Sequence, residues 1–306
     1  MQPLDLTDLT DQVLNLTPTQ GLGIPVALVG AVFLALGAQF QHRGVGKVEA
    51  TLGGAAKGLS GRQLLALLSR PSWVIGTLLL ILAILFQLTS LYLAPLIVVQ
   101  PLGAVALVIT ALVNARVSGM KLDRATIRSI ALCVGGVAVF VTIAAFTARE
   151  TEITDAQLIT VLIILGVVLV VAAVAFAVLR SKFKAIMYIV AAGILYGFVA
   201  TLAKVIINRI RLENFDVLTF MCVIALLAAT ILGAYFVQTA YASGPPDLVI
   251  AGLTVIDPLV AVTIGIVVLG EASGAPPVAI TAFVVTGAVA IYGVFQLAKH
   301  HPQNQR

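Results

Sequence analysis

Residues 70–116 read RPSWVIGTLLLILAILFQLTSLYLAPLIVVQPLGAVALVITALVNAR, and this stretch decides the fold. Arg70 and Arg116 bracket 45 residues with no charged side chain, interrupted by Pro95 and Pro101. One membrane span needs about 20 apolar residues. The stretch is therefore two spans joined by a tight turn at Leu93-Ala94-Pro95. The same grammar returns later in the chain. Gln87 precedes Pro95 by 8 residues, and Gln238 precedes Pro246 by 8. A polar residue and a second proline follow in each copy, Gln100-Pro101 and Asp257-Pro258. The repeat is imperfect, because the two prolines stand 6 apart in the first copy and 12 apart in the second. A repeat inside a membrane protein points to a transporter built from duplicated halves.

The rest of the chain has the same character. It is 60% hydrophobic and 10% charged, against about 45–50% and about 25% for soluble domains. A soluble globule of 306 residues cannot hide that much apolar surface. The apolar runs are continuous rather than alternating, which argues against a β-barrel. The net charge of +5 does not imply a nucleic-acid partner, because the basic residues sit at span ends. Membrane proteins concentrate Lys and Arg in cytoplasmic loops. Cys133 and Cys222 lie within apolar runs and read as small buried hydrophobes. The first 20 residues carry Asp5, Asp8 and Asp11 without Lys or Arg. A secretory signal needs a basic n-region, so segment 22–41 is expected to be a retained span.

Charge and turn signals delimit nine spans, at 22–41, 72–92, 96–117, 126–147, 157–179, 185–207, 217–241, 248–270 and 277–298. With the N-terminus outside and the C-terminus cytoplasmic, 14 of the 18 Lys and Arg residues fall inside. Arg149, Lys204, Arg209 and Arg211 fall outside, and the Arg209/Arg211 pair is the one local conflict. Span 1 aligns with span 6: Gly30 with Gly193, Phe33 with Tyr196, Gly37 with Ala200, and Gln41 with Lys204. The expected fold is an all-α integral membrane protein with two inverted four-helix repeats and a connecting helix. Its parts are an extracytoplasmic segment (1–21), a first repeat (22–147), a connecting span (148–180), a second repeat (181–298) and a cytoplasmic tail (299–306). The stretch 43–70 is the longest loop; its Leu64–Leu68 run either lies on the membrane surface or is ordinary loop.

Asp257 is the sharpest candidate for chemistry. A carboxylate at mid-bilayer costs about 2.5–3.5 kcal/mol on insertion scales, so it normally faces a cavity or a partner. Pro258 lacks the N–H that the Thr254 carbonyl would accept, so a helix break is expected there, as at Pro101. A carboxylate beside a free carbonyl suits a cation, an amine or a proton. The plainer reading is a protonated Asp257 bonded to a neighbouring helix. Lys204 either snorkels to the interface or lines a cavity. Gln39, Gln41, Gln87, Gln100 and Gln238 are unusual in apolar spans. Each is either helix–helix glue or part of a polar path. Tyr196 is a weaker path candidate, since tyrosines near span ends are commonly interfacial anchors. Gly193-x-x-x-Gly197 signals close helix packing. Residues 53–60, GGAAKGLS, fail the phosphate-loop spacing. His300 and His301 have no cysteine cluster beside them. No enzyme chemistry, cofactor or metal site is expected.

Several motifs together resemble a known family. The glycine- and aromatic-rich first span, Ala94-Pro95 with Gln100-Pro101-Leu102-Gly103-Ala104, and Asp257-Pro258-Leu259 with Leu269-Gly270-Glu271 resemble the drug/metabolite transporter superfamily and its EamA-type repeat. The nine-span layout, Arg70-Pro71-x-Trp73 and the Pro-Leu-Gly-Ala run are more similar to the NIPA-like branch, often described as magnesium transporters. That branch carries a glutamate 17 residues before the Pro-Leu-Gly proline, where this chain has Ile84. The resemblance implies a plasma-membrane secondary transporter for a small polar metabolite or cation, working by alternating access. Mg²⁺ or another divalent cation is the rival cargo. A flippase for lipid-linked sugars is a further class, needing a basic headgroup site for which Lys204 is the only deep candidate. A non-transport scaffold predicts no continuous polar cavity. The expected partners are the substrate and the bilayer, and a homodimer is compatible with the sequence.

Overall fold

The computed structural model describes residues 18–52, 67–117, 123–149, 152–179, 185–243 and 246–299. The acidic segment 1–17, the stretch 53–66, the basic loop 180–184 and the tail histidines lie outside the described residues. Among the described residues all regular structure is helical: α1 (Pro18–Leu52), α2 (Pro71–Leu93), α3 (Leu96–Leu102), α4 (Ala104–Val117), α5 (Arg124–Thr147), α6 (Asp155–Leu179), α7 (Ala185–Arg211), α8 (Val217–Ser243), α9 (Pro246–Val267) and α10 (Pro277–Lys299). Nine stretches among them are long and apolar enough to cross a membrane. Lipid offers backbone groups no partners, so the helix must satisfy them internally. The expected spans are met within a few residues, with α3 and α4 together forming the third. One boundary differs: α1 runs on through the expected start of the 43–70 loop to Leu52.

Helix ends follow local chemistry. Pro71 opens α2, where its missing N–H costs nothing. Asp123 caps α5 by accepting the Thr126 N–H at 2.9 Å. Thr154 and Gln157 form a capping box at the start of α6. The expected turn is present: Ala94 is extended, Pro95 follows, and α3 starts at Leu96.

Backbone-close seams hold the bundle together. Gly23, Gly30, Gly37 and Gly44 recur every seven residues along α1 and face α2 in antiparallel order, against Ala94, Phe86, Leu80 and Trp73. A Cβ at Gly44 would lie 2.7 Å from that of Trp73. Gly193 and Gly197 on α7 meet Ile256 and Val260 on the parallel α9, so the GxxxG motif does serve packing. Gly136 and Gly293 bring α5 and α10 together with no room for side chains between. The most extensive pairings are α1 with α2, α5 with α10, α7 with α8, and α7 with α9.

The short helix α3 is the centre of the molecule. Leu96, Ile97 and Val99 are fully buried, as is Ala94 before them. By contrast α6 is peripheral. Its buried residues Leu158, Val161 and Leu165 lie in its first half, and Val170, Val171, Val174 and Val178 are exposed. An apolar fissure of about 400 Å³ separates its second half from α7.

Candidate functional site

Two polar regions are built around α3. The first is the turn that precedes it. Lys204, on α7, is 4% exposed and does not snorkel. Its ammonium donates to the carbonyls of Leu91, at 2.7 Å, and Ala94, at 3.0 Å. These carbonyls belong to the end of α2, where orphan acceptors and the helix dipole favour a cation. Glu271 completes the arrangement from the other side. Its two carboxylate oxygens accept the N–H groups of Leu96 and Ile97, both at 2.8 Å. A glycine is needed here: a Cβ on Gly265 would stand 2.8 Å from Glu271 Oε2. Gly270, with φ of 71°, turns the chain back so that Glu271 points inward. The Gln157 side chain holds the same loop by donating to the carbonyls of Val268, at 3.0 Å, and Leu269, at 3.2 Å.

The neighbouring Arg209 is buried and paired with two acids. Its guanidinium bonds Asp155 and Asp216, each at 2.5 Å, and Thr219 Oγ1 at 3.1 Å. The Arg209 guanidinium holds the Asp216 carboxyl down at about 2. Arg211 stands over the Tyr92 ring, 5.9 Å from its centroid.

The second region lies further along α3, where it faces α9. Gly265, Ala261 and Asp257 occupy one face of α9 at four-residue spacing. Leu96 meets Gly265, and Gln100 follows Leu96 one turn along α3. Gln100 is 5% exposed, and its Nε2 has no hydrogen-bond partner. The Oδ1 of Asp257 is equally enclosed and equally unpartnered. A buried donor and a buried acceptor are therefore left open on facing helices. Each unmade bond costs about 1–3 kcal/mol in a dry interior. Tyr196 lies within electrostatic range of Asp257, and Tyr241 within range of Tyr196.

The other sequence candidates are placed as follows. Pro101 and Pro258 share a cavity of about 80 Å³ with Phe140, Thr254 and Ile291. That cavity is apolar, and Asp257, Gln100 and Gln87 do not line it. The expected break at Pro258 is absent, since α9 continues from Pro246 to Val267. A one-residue interruption falls instead at Gly103, two residues after Pro101, with the backbone there still in helical conformation. Gln41 bonds Thr77 Oγ1 at 3.0 Å and joins α1 to α2. Gln39 and Gln87 are partly buried and Gln238 is exposed. Among the described residues no three His, Cys, Asp or Glu side chains gather as a metal site. Glu271, Arg209 and the buried Asn208, whose Oδ1 is unpartnered, were not candidates from sequence. Arg209 did carry a signal, as one of the cations that ran against the expected charge pattern.

Comparison with family models, with curated proteins and with solved structures finds no match for this chain.

Proposed function

We propose that this protein is a secondary transporter moving a small polar metabolite or cation across the plasma membrane by alternating access, with Asp257 and Gln100 as its binding pair. The observation that carries this reading is that a donor on α3 and an acceptor on α9, two helices in contact, are both left open inside the bundle. A ligand offering an N–H or cationic group to Asp257 and an oxygen to Gln100 answers both. The same interface brings Pro101 and Pro258 together, one from each half.

The proposal includes two inverted repeats, spans 1–4 and 6–9, with the N-terminus outside. Helix packing supports it: span 1 pairs with span 2 as span 6 does with span 7, and span 4 pairs with span 9. Odd connectors between such halves reverse the second in the bilayer. The flippase reading loses its support, because Lys204 is committed to backbone carbonyls. A Mg²⁺ cargo would meet one carboxylate, Asp257, and would be held through its waters.

The test is uptake into proteoliposomes across a panel of amines, amino acids, polar neutral metabolites and Mg²⁺. Asp257→Asn keeps the shape and removes the titratable charge. The expected result is normal membrane insertion with uptake lost. Wild-type uptake by Asp257→Asn, with an unchanged pH profile, would reduce this residue to helix glue.

A further inference from the structure

We infer that Glu271 and Lys204 form a latch that shuts one end of the transport path by gripping the Leu93–Pro95 turn. The inference rests on the transport reading above. Both charges belong to the second half of the chain, and four of their side-chain bonds land on the first half. The acceptors and donors on that side are backbone groups at a chain reversal. Lys204 takes the last carbonyls of α2, and Glu271 takes the first free N–H groups of α3. One turn is thus held from both sides by opposite charges, with no reliance on its own side chains.

The segment so gripped is able to move as a unit. Helix α3 has 7 residues and is bounded by Pro95 before it and, after it, by Gly103, where the ladder tightens to a bond with Gln100 before α4 begins. Hinges of this kind absorb backbone rotation while the element between them stays rigid. Its first residues are in the latch, and Gln100, in its last turn, carries the open amide of the binding pair. A ligand that draws Gln100 toward Asp257 therefore pulls on the same short lever that Glu271 holds. Binding and release of the turn become one motion, with the differential contact that a ligand-driven shift requires. Gly265 fits the role, since its missing Cβ is what lets the carboxylate reach the turn.

The experiment places a reporter thiol by Ala200→Cys, four residues before Lys204 on α7 and partly buried against the core. The full chain in lipid nanodiscs is treated with a membrane-impermeant maleimide, and labelling is read by peptide mass spectrometry. Native Cys133 and Cys222, both fully buried, serve as controls for general loosening. In Glu271→Gln and in Lys204→Met, labelling at position 200 is expected to accelerate about ten- to a hundredfold, the scale of a lost charge-assisted bond. Gly265→Ala keeps both charges but displaces the carboxylate, and should accelerate labelling by a smaller factor. Cys133 and Cys222 should stay unlabelled throughout. Unchanged labelling at position 200 in both charge variants overturns the latch. Labelling of Cys133 and Cys222 along with position 200 overturns it too, because the whole bundle would then have opened and not the turn alone. The readout needs no substrate. A latch that opens in a protein that transports nothing supports this inference and sinks the transport reading alone.

Discussion

The turn before α3 and the site beneath it use the same kinds of residue to opposite ends. At the turn, Lys204 and Glu271 each make two bonds with backbone groups, and the nearby Arg209 has three partners. Asn208, one turn beyond Lys204, is the exception there, with a buried oxygen left open. Along the α3–α9 interface, Gln100 Nε2 and Asp257 Oδ1 are enclosed and unsatisfied. A buried charge with partners holds structure; a buried polar atom without one is a cost that function must explain. The difference predicts that substitutions at the turn damage stability, while those at the interface damage transport and spare stability.

The largest loss is expected from Lys204→Met. Methionine fills the space but leaves two buried carbonyls without a donor, and it leaves the α2 C-terminus without its cation. The cost is about 3 kcal/mol or more. Thermal unfolding in detergent, followed by tryptophan-independent far-UV signal, should show a clear fall in midpoint. A midpoint within error of wild type would erase the distinction between the two regions.

A smaller loss is expected from Arg209→Gln, because Asp155 and Asp216 are largely open to solvent. Its pH dependence is more informative than its size. The folded carboxyl of Asp216 is lowered from 3.8 to about 2, chiefly by its bond to Arg209. A depressed carboxyl stabilises above its unfolded value and loses that contribution as pH falls through its folded value. The gap between wild type and Arg209→Gln should therefore be constant above about pH 5 and close toward about pH 2. A gap that opens near neutrality would mean another group controls this corner.

The membrane architecture was legible because a bilayer reads what a sequence displays, namely apolar length and the placement of charge. The turn at Leu93-Ala94-Pro95 was legible because a proline interrupts a run too long for one span. The latch was not. Its partners are backbone groups of residues 91–97, which carry no side-chain signature, and Glu271 is separated from them by more than 170 residues. In sequence it stands only as the last residue of the Leu269-Gly270-Glu271 motif, with no partner or role attached to it. Residue-level equivalence of the halves also failed to carry through: Gly30 packs on the following span, Gly193 on the span after next. The prolines show why a motif is not a geometry. Pro101 is followed two residues later by Gly103, whose N–H turns to Gln100 in a tighter bond, and the helix is interrupted. Pro258 is followed at the same distance by Val260, locked against Gly197, and the helix continues. Pro258→Ala restores a donor for the Thr254 carbonyl within an unbroken helix, so it should stabilise by about 1 kcal/mol. Pro101→Ala should gain less, because the break beside it is set by Gly103. An equal gain would assign the break to the proline.

The smallest effect on stability is expected at Gln100, and it is the sharpest test of the comparison. Gln100→Leu removes a buried amide whose Nε2 has no partner and puts an apolar side chain of similar size in its place. The unmade bond disappears with the residue, so the variant should unfold within about 1 kcal/mol of wild type or above it. Lys204→Met makes the same kind of change, polar to apolar at a buried position, and is expected to do the reverse. Transport should separate the two in the other direction, with Gln100→Leu losing uptake while folding normally, because the ligand loses its donor. Wild-type uptake together with raised stability would show that the amide is packing left unsatisfied for no purpose. A stability loss matching that of Lys204→Met would show that Gln100 has a structural partner, and the binding pair would reduce to Asp257 alone.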